Sequence, residues 1–196
     1  MMTPRERAEA ALNLQIPDMV PTFELEFQLA EEMFGKPFLT QRDLEGKSAS
    51  ERDRLIKENA EYMLEVYEAL EYSIIPLHYL NLEGLVETAR HIRRLTGDRF
   101  MLTAHGDGTY AIPSGSEMMD FVYFLTDQPD EAKAEAQRNA QRAIERNRIL
   151  VDAGVDSFIL CSDYCFNSGP FLSPAMFREF ITPYLAQIIE AIRADG

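Results

Sequence analysis

The sequence predicts an α/β protein: roughly the first four β/α units of a TIM-type (β/α)₈ barrel, preceded by a short N-terminal helix. Three observations predict it. Short apolar or alternating runs recur between long helical stretches, the pattern of strands lying parallel in one sheet. Four such units use all 196 residues, whereas a closed barrel takes eight and typically ~250 residues. Ionisable residues follow each apolar run, at the strand ends where such barrels carry their chemistry.

The elements follow in chain order. Thr3-Pro4-Arg5-Glu6 is a capping box with proline at the first helical position, and a helix to about Leu12 is expected. In Val20–Phe27 the apolar Phe23, Leu25 and Phe27 alternate with polar residues, which predicts a first strand. Residues 28–70 read as mainly helical, with loops at Gly35-Lys36-Pro37 and Gly46-Lys47-Ser48. Tyr62, Met63, Val66, Tyr67 and Leu70 there recur at helical spacing. Tyr72–Tyr79 is a buried-strand candidate despite Pro76. A helix from about Leu82 to Leu95 ends at Gly97, suited to a left-handed cap.

Phe100–Ala104 is the third strand, and it runs into His105-Gly106-Asp107-Gly108. A helix opening at Ser116 carries Met118, Met119, Phe121, Val122 and Leu125. Asp127 and Pro129 end it and begin a long alanine-rich helix that stops at Gly154. Asp156–Cys161 is the fourth strand. Ser173-Pro174 starts a last helix, in which Pro183 removes a hydrogen bond and should introduce a kink. The chain is expected to be one domain, 1–196, that stops where a fifth strand would begin. The open edges of its first and fourth strands would then need the rest of the barrel, or a second copy, to cover them.

Composition narrows the function classes. With 46% hydrophobic and 27% charged residues, the chain is an ordinary globular one. No apolar run approaches the ~18 residues of a membrane span, and no secretory leader is evident, so a cytoplasmic location is expected. The net charge is −14, and no basic run exceeds a pair of arginines. That argues against nucleic acid as a partner. Cys161 and Cys165 lie four apart in a chain with no secretory leader evident, so a disulfide framework is not expected. They could bind zinc as thiolates, although buried, inert cysteine is the commoner fate.

Each expected strand ends in candidate site residues: Glu24 and Glu26, then His78, then His105 and Asp107, then Asp163 and Tyr164. Each also has a plain alternative. Glu24 and Glu26 can be the solvent face of an alternating strand, and His78 a half-buried histidine with a backbone partner. His105–Gly108 can be a turn, since Asp-Gly supplies turn chemistry without function. His91, inside a helix, reads as a surface or packing residue. Co-location of the others on one rim is what points to an active site, and fold alone does not fix its reaction.

Two motif sets carry a family resemblance. The first is Met2-Thr3-Pro4-Arg5-Glu6-Arg7 through Ala10-Ala11-Leu12-Asn13 and Pro17-Asp18-Met19-Val20-Pro21. The second is Gly154-Val155-Asp156, then Leu172-Ser173-Pro174-Ala175-Met176-Phe177-Arg178-Glu179-Phe180 and Pro183-Tyr184. Both resemble the uroporphyrinogen decarboxylase superfamily, which implies a (β/α)₈ barrel with about twice this strand count. The decarboxylases carry an arginine-rich first strand that grips the acidic porphyrinogen. Here the corresponding stretch is Phe23-Glu24-Leu25-Glu26-Phe27-Gln28, where carboxylates would repel such a substrate. His78 stands where the decarboxylases place a catalytic aspartate.

The chain is more similar to the corrinoid-dependent methyltransferase-like branch, in Phe-Glu-Leu-Glu and in Asp163 before Ser168-Gly169-Pro170. That resemblance implies methyl transfer between a corrinoid protein and a small thiol or methoxylated compound. It also implies zinc as Lewis acid, with His-x-Cys and a later Cys ligand expected beyond Gly196. From this segment Glu26 is the candidate to approach the metal. His78, Asp107 and Asp163 are the catalytic candidates on this reading. Glu24, Glu26, His105 and Tyr164 are the substrate-binding ones. Porphyrinogen decarboxylation and a non-catalytic half-barrel binding module are the alternatives.

Overall fold

The computed structural model describes residues 1–195, and the chain divides into two compact units. One holds Met1–Ala104 with Ile149–Ser157, the other His105–Arg148 with the chain from Phe158 onward.

In the first unit, α1 (Pro4–Leu12) begins at the expected capping box. The Thr3 hydroxyl accepts from the Glu6 backbone N–H at 3.2 Å, and the Glu6 carboxylate accepts from the Thr3 N–H at 2.7 Å. After α2 (Ala30–Phe34) and a 3₁₀ turn at Gln41–Leu44 comes α3 (Ala49–Ala69), also boxed, by Ser48 and Glu51. It buries Ile56, Ala60, Met63, Val66 and Tyr67, the apolar stripe expected of a helix lying on a core. β1 (Ile74–Leu77) leads through Asn81, which caps α4 (Leu82–Thr96), to β2 (Met101–His105). β1 and β2 are parallel, with Ile74 opposite Met101 and Leu77 opposite Ala104. β3 (Ser157–Ile159) follows β2 in a sheet of order β1-β2-β3. Pro76 is tolerated because β1 is an edge of that sheet, where a missing N–H breaks no ladder.

One carboxylate ties this unit together. Asp156 accepts from Arg5 at 2.6 Å, from Arg93 and from the Leu102 N–H at 2.7 Å. It thereby links α1, α4 and β2 at the start of β3.

In the second unit, α5 (Met118–Asp127) and α6 (Pro129–Asp152) are followed by the short antiparallel hairpin of β4 (Cys165–Phe166) and β5 (Gly169–Pro170). α7 (Pro174–Phe180) and α8 (Thr182–Ala194) come last. Ala136, Ala140 and Ala143 form a small-residue stripe on α6 that packs with Tyr184 and Ile188 of α8. A second cluster joins Leu125, Ala132, Leu172, Phe180 and Ile181.

Three expectations need correction. Residues 20–29 form no strand: Phe23 and Leu25 are 41% and 38% exposed, and of the three alternating residues only Phe27 is buried. The alternation lacks a partner ladder on both sides, and the segment is held by single bonds such as Ser73 N–H to the Thr22 carbonyl at 2.9 Å. Glu24 and Glu26 therefore sit on an extended loop. The last helix is split rather than kinked: Ile181, at φ −118° and ψ −58°, separates α7 from α8, and Pro183 lies in the first turn of α8, where its missing N–H costs nothing. Gly97 has the expected positive φ of 56° but ψ −128°, outside the left-handed helical region.

Candidate functional site

The sequence-predicted residues fall into two groups. Glu24, Glu26 and His78 belong to the first unit, and His105, Asp107, Asp163 and Tyr164 to the second.

In the first unit, β1 delivers His78 one residue past its end. The side chain is only 8% exposed. Its ring meets Tyr79 edge to face at 4.0 Å and Phe38 at 6.5 Å between centroids. Tyr79 carries a left-handed φ of 70°, which non-glycine residues adopt mainly where surroundings impose it. Its carbonyl accepts from the Gln41 N–H at 2.9 Å. The two glutamates are exposed but stand against tyrosines. Burial, with the charge of Glu24 and its hydrogen bond, pushes the Tyr72 phenol up to about 12. Burial and then Glu26 raise Tyr79, and burial raises Tyr67 further still. The end of β1 is therefore acidic and aromatic.

In the second unit, Asp107 is a hydrogen-bond hub. Its carboxylate accepts from the N–H groups of Gly108 and Thr109 at 2.7 and 2.8 Å, and from the Thr109 hydroxyl at 2.8 Å. Ser162 N–H and the Tyr164 hydroxyl add longer bonds of 3.3 and 3.4 Å. Burial alone would raise this carboxyl, but the bonds from Thr109 and Ser162 outweigh it and hold the group below its usual value. The loop after β2 is thereby fastened to the loop after β3. Arg146 donates to the Asp107 carbonyl at 3.0 Å and Asn147 to the Gly106 carbonyl at 2.8 Å, fixing the same turn from α6.

Tyr164 also shares a short hydrogen bond with the Thr109 hydroxyl, and burial leads the causes that raise its phenol. Asp163 has an exposed side chain, while its carbonyl accepts from the Ile112 N–H at 2.9 Å. His105 Nδ1 lies 3.0 Å from the Cys161 thiol. Cys161 and Cys165 are exposed rather than buried. His91 pairs with Glu61 at 3.1 Å on the helical surface.

Sequence reasoning missed the groups that hold these side chains: Thr109, Ser162, Arg146, Tyr72 and Tyr79. The Asp107-x-Thr109 spacing is the one available signal, because an aspartate accepting from the residue two positions on makes an Asx turn. The zinc implied by the resemblance is not fitted by this chain alone. Among the described residues no three His, Cys, Asp or Glu side chains are placed to hold one ion, and protein zinc sites use three or four ligands. No described helix is long and apolar enough to cross a membrane.

No curated protein sequence matches the chain. The solved structure of a methyltransferase from Methanosarcina mazei superposes with TM-score 0.68, at 16% identity, over 98% of this chain and 68% of the other. At that identity the likeness is one of fold. The sequence model for uroporphyrinogen decarboxylase (URO-D) matches residues 74–196, from the first residue of β1 onward. The chain belongs to the uroporphyrinogen decarboxylase (URO-D) family.

Proposed function

We propose that this chain forms half of a (β/α)₈ barrel, and that the protein is a methyltransferase. The methyl group would pass between a corrinoid-bearing partner protein and a small thiol or methoxylated compound. The observation that carries this reading over porphyrinogen decarboxylation is the acidic, aromatic end of β1. Glu24 and Glu26 stand beside Tyr72 and Tyr79 there. A tetrapyrrole bearing many carboxylates needs guanidinium or ammonium groups at its seat, and like charges would repel it.

The chain's own residues have separable tasks. His78, nearly enclosed at the end of β1, would hold or release the proton of the small compound. In the second unit, Tyr164 and Asp163 would offer hydrogen bonds to a substrate. Asp107 would hold Tyr164 in place, as a positioning residue. No step is assigned to zinc, because this chain's side chains do not enclose one.

Full-length protein mixed with methylcobalamin and a panel of thiols, and separately with cob(I)alamin and a panel of methoxylated compounds, tests the reading. A changing cobalamin spectrum is expected with at least one compound. Spectra that stay constant across the panel, with zinc supplied, would remove it. The second reading, decarboxylation, is favoured by family membership alone, and coproporphyrinogen released from uroporphyrinogen would establish it.

A further inference from the structure

Beside the end of β1 the first unit opens a cleft of about 200 Å³ that the methyl-transfer reading leaves without an occupant. Phe27, Phe38 and Tyr79 wall it, and Glu31 and Glu32 from the first turn of α2 edge it. We infer that this cleft binds a small methylated ammonium ion, held by the aromatic rings and the two carboxylates.

Four observations converge. The rings form one cluster: Phe27 lies 6.4 Å from Phe38 and 6.4 Å from Phe34, and Phe38 6.5 Å from His78, in tilted or edge-on pairs. Aromatic faces are negative, and walls of this kind are how proteins recognise quaternary ammonium groups. Among the described residues the lining holds two carboxylates and no lysine or arginine, so a cation meets no like charge. The volume is below the ~300–1,000 Å³ of sites for drug-sized ligands, which suits a small ion and excludes a tetrapyrrole. Lastly, Tyr79 lines the cleft from a left-handed backbone conformation, and strain of that kind concentrates at ligand clamps. Glu26, which raises the Tyr79 phenol, adds a further negative group close by.

The plain alternative is that these rings merely close the edge of the apolar core. The two differ in charge selectivity, since an apolar gap prefers a neutral guest. Binding of the ion does not rest on the methyl-transfer reading.

The test is calorimetric titration of the full-length protein with choline and, separately, with its neutral isostere 3,3-dimethyl-1-butanol. Choline is expected to bind at least about fivefold more tightly than the alcohol. Tyr79→Phe should keep that preference, and Tyr79→Leu should abolish it while the thermal midpoint shows the variant folded. The exposed pair Glu31→Gln with Glu32→Gln should weaken choline about two- to threefold and leave the alcohol unaffected. This pair supplies the test if Tyr79→Leu does not fold. Equal affinities, no choline binding at millimolar concentration, or selectivity that survives both variants would overturn the inference. Selective binding without any methyl transfer would support this site and remove the methyltransferase reading. Methyl transfer without selectivity would do the reverse.

Discussion

Asp107, at a strand end, is held by hydrogen bonds from its own and a neighbouring loop. Five donors converge on its carboxylate, so its removal leaves buried or half-buried N–H and O–H groups without an acceptor. Asp107→Ala is therefore expected to cost about 1–3 kcal/mol, read as a lower urea midpoint. Because its folded pKa is depressed, the stability it contributes is present above the unfolded value near ~3.9. That contribution is lost as pH falls through the lower folded value. Stability of the Asp107→Ala variant and of the parent should thus converge in strong acid, and a fixed difference down to the lowest pH would refute the assignment. Gly108 has a separate duty: an added Cβ would lie 2.6 Å from the Ala143 Cβ and 2.9 Å from the Asn139 carbonyl. Since one of these neighbours is backbone, Gly108→Ala should destabilise by about 1–3 kcal/mol in chemical denaturation. Asp107 and Tyr164 were legible from their places after strands. Thr109 and Ser162 were not, because hydroxyl residues in a loop look alike until the fold shows which carboxylate they meet.

At the scale of elements, Asp156 carries the most. It joins α1, α4 and β2 through two arginines and a backbone N–H, with its side chain 22% exposed and those of Arg5 and Arg93 19% and 16%. Asp156→Ala leaves two guanidiniums half-buried without their carboxylate, and a loss of about 2–4 kcal/mol, seen as a lower thermal midpoint, is expected. Elements with local signals were readable: the Thr3–Glu6 box, the α6 alanine stripe and the apolar runs of β1 to β3. The run 20–27 misled because period-two alternation shows only that a segment could pair. Pairing needs a ladder of hydrogen bonds, and among the described residues none forms at Phe23 and Leu25. The break at Ile181 followed the same logic, since proline permits either a kink or a fresh first turn.

The whole molecule combines family membership with an unusually apolar N-terminal surface. Leu14, Ile16 and Val20 are 95%, 93% and 77% exposed, and β1 and β3 are the outer strands of the sheet. Exposed apolar side chains and open strand edges promote association. The 196-residue chain is expected to sediment as dimers or larger species, and a monomer at micromolar concentration would contradict that. At this scale the proposed activity is methyl transfer beside the acidic end of β1. Its most direct measurement is the rate of methylcobalamin demethylation by full-length protein with its best small acceptor, set beside the His78→Gln variant. The rate should fall at least about 100-fold in a variant whose melting is unchanged. Equal rates in the two proteins, or turnover of uroporphyrinogen in place of methylcobalamin, would contradict it.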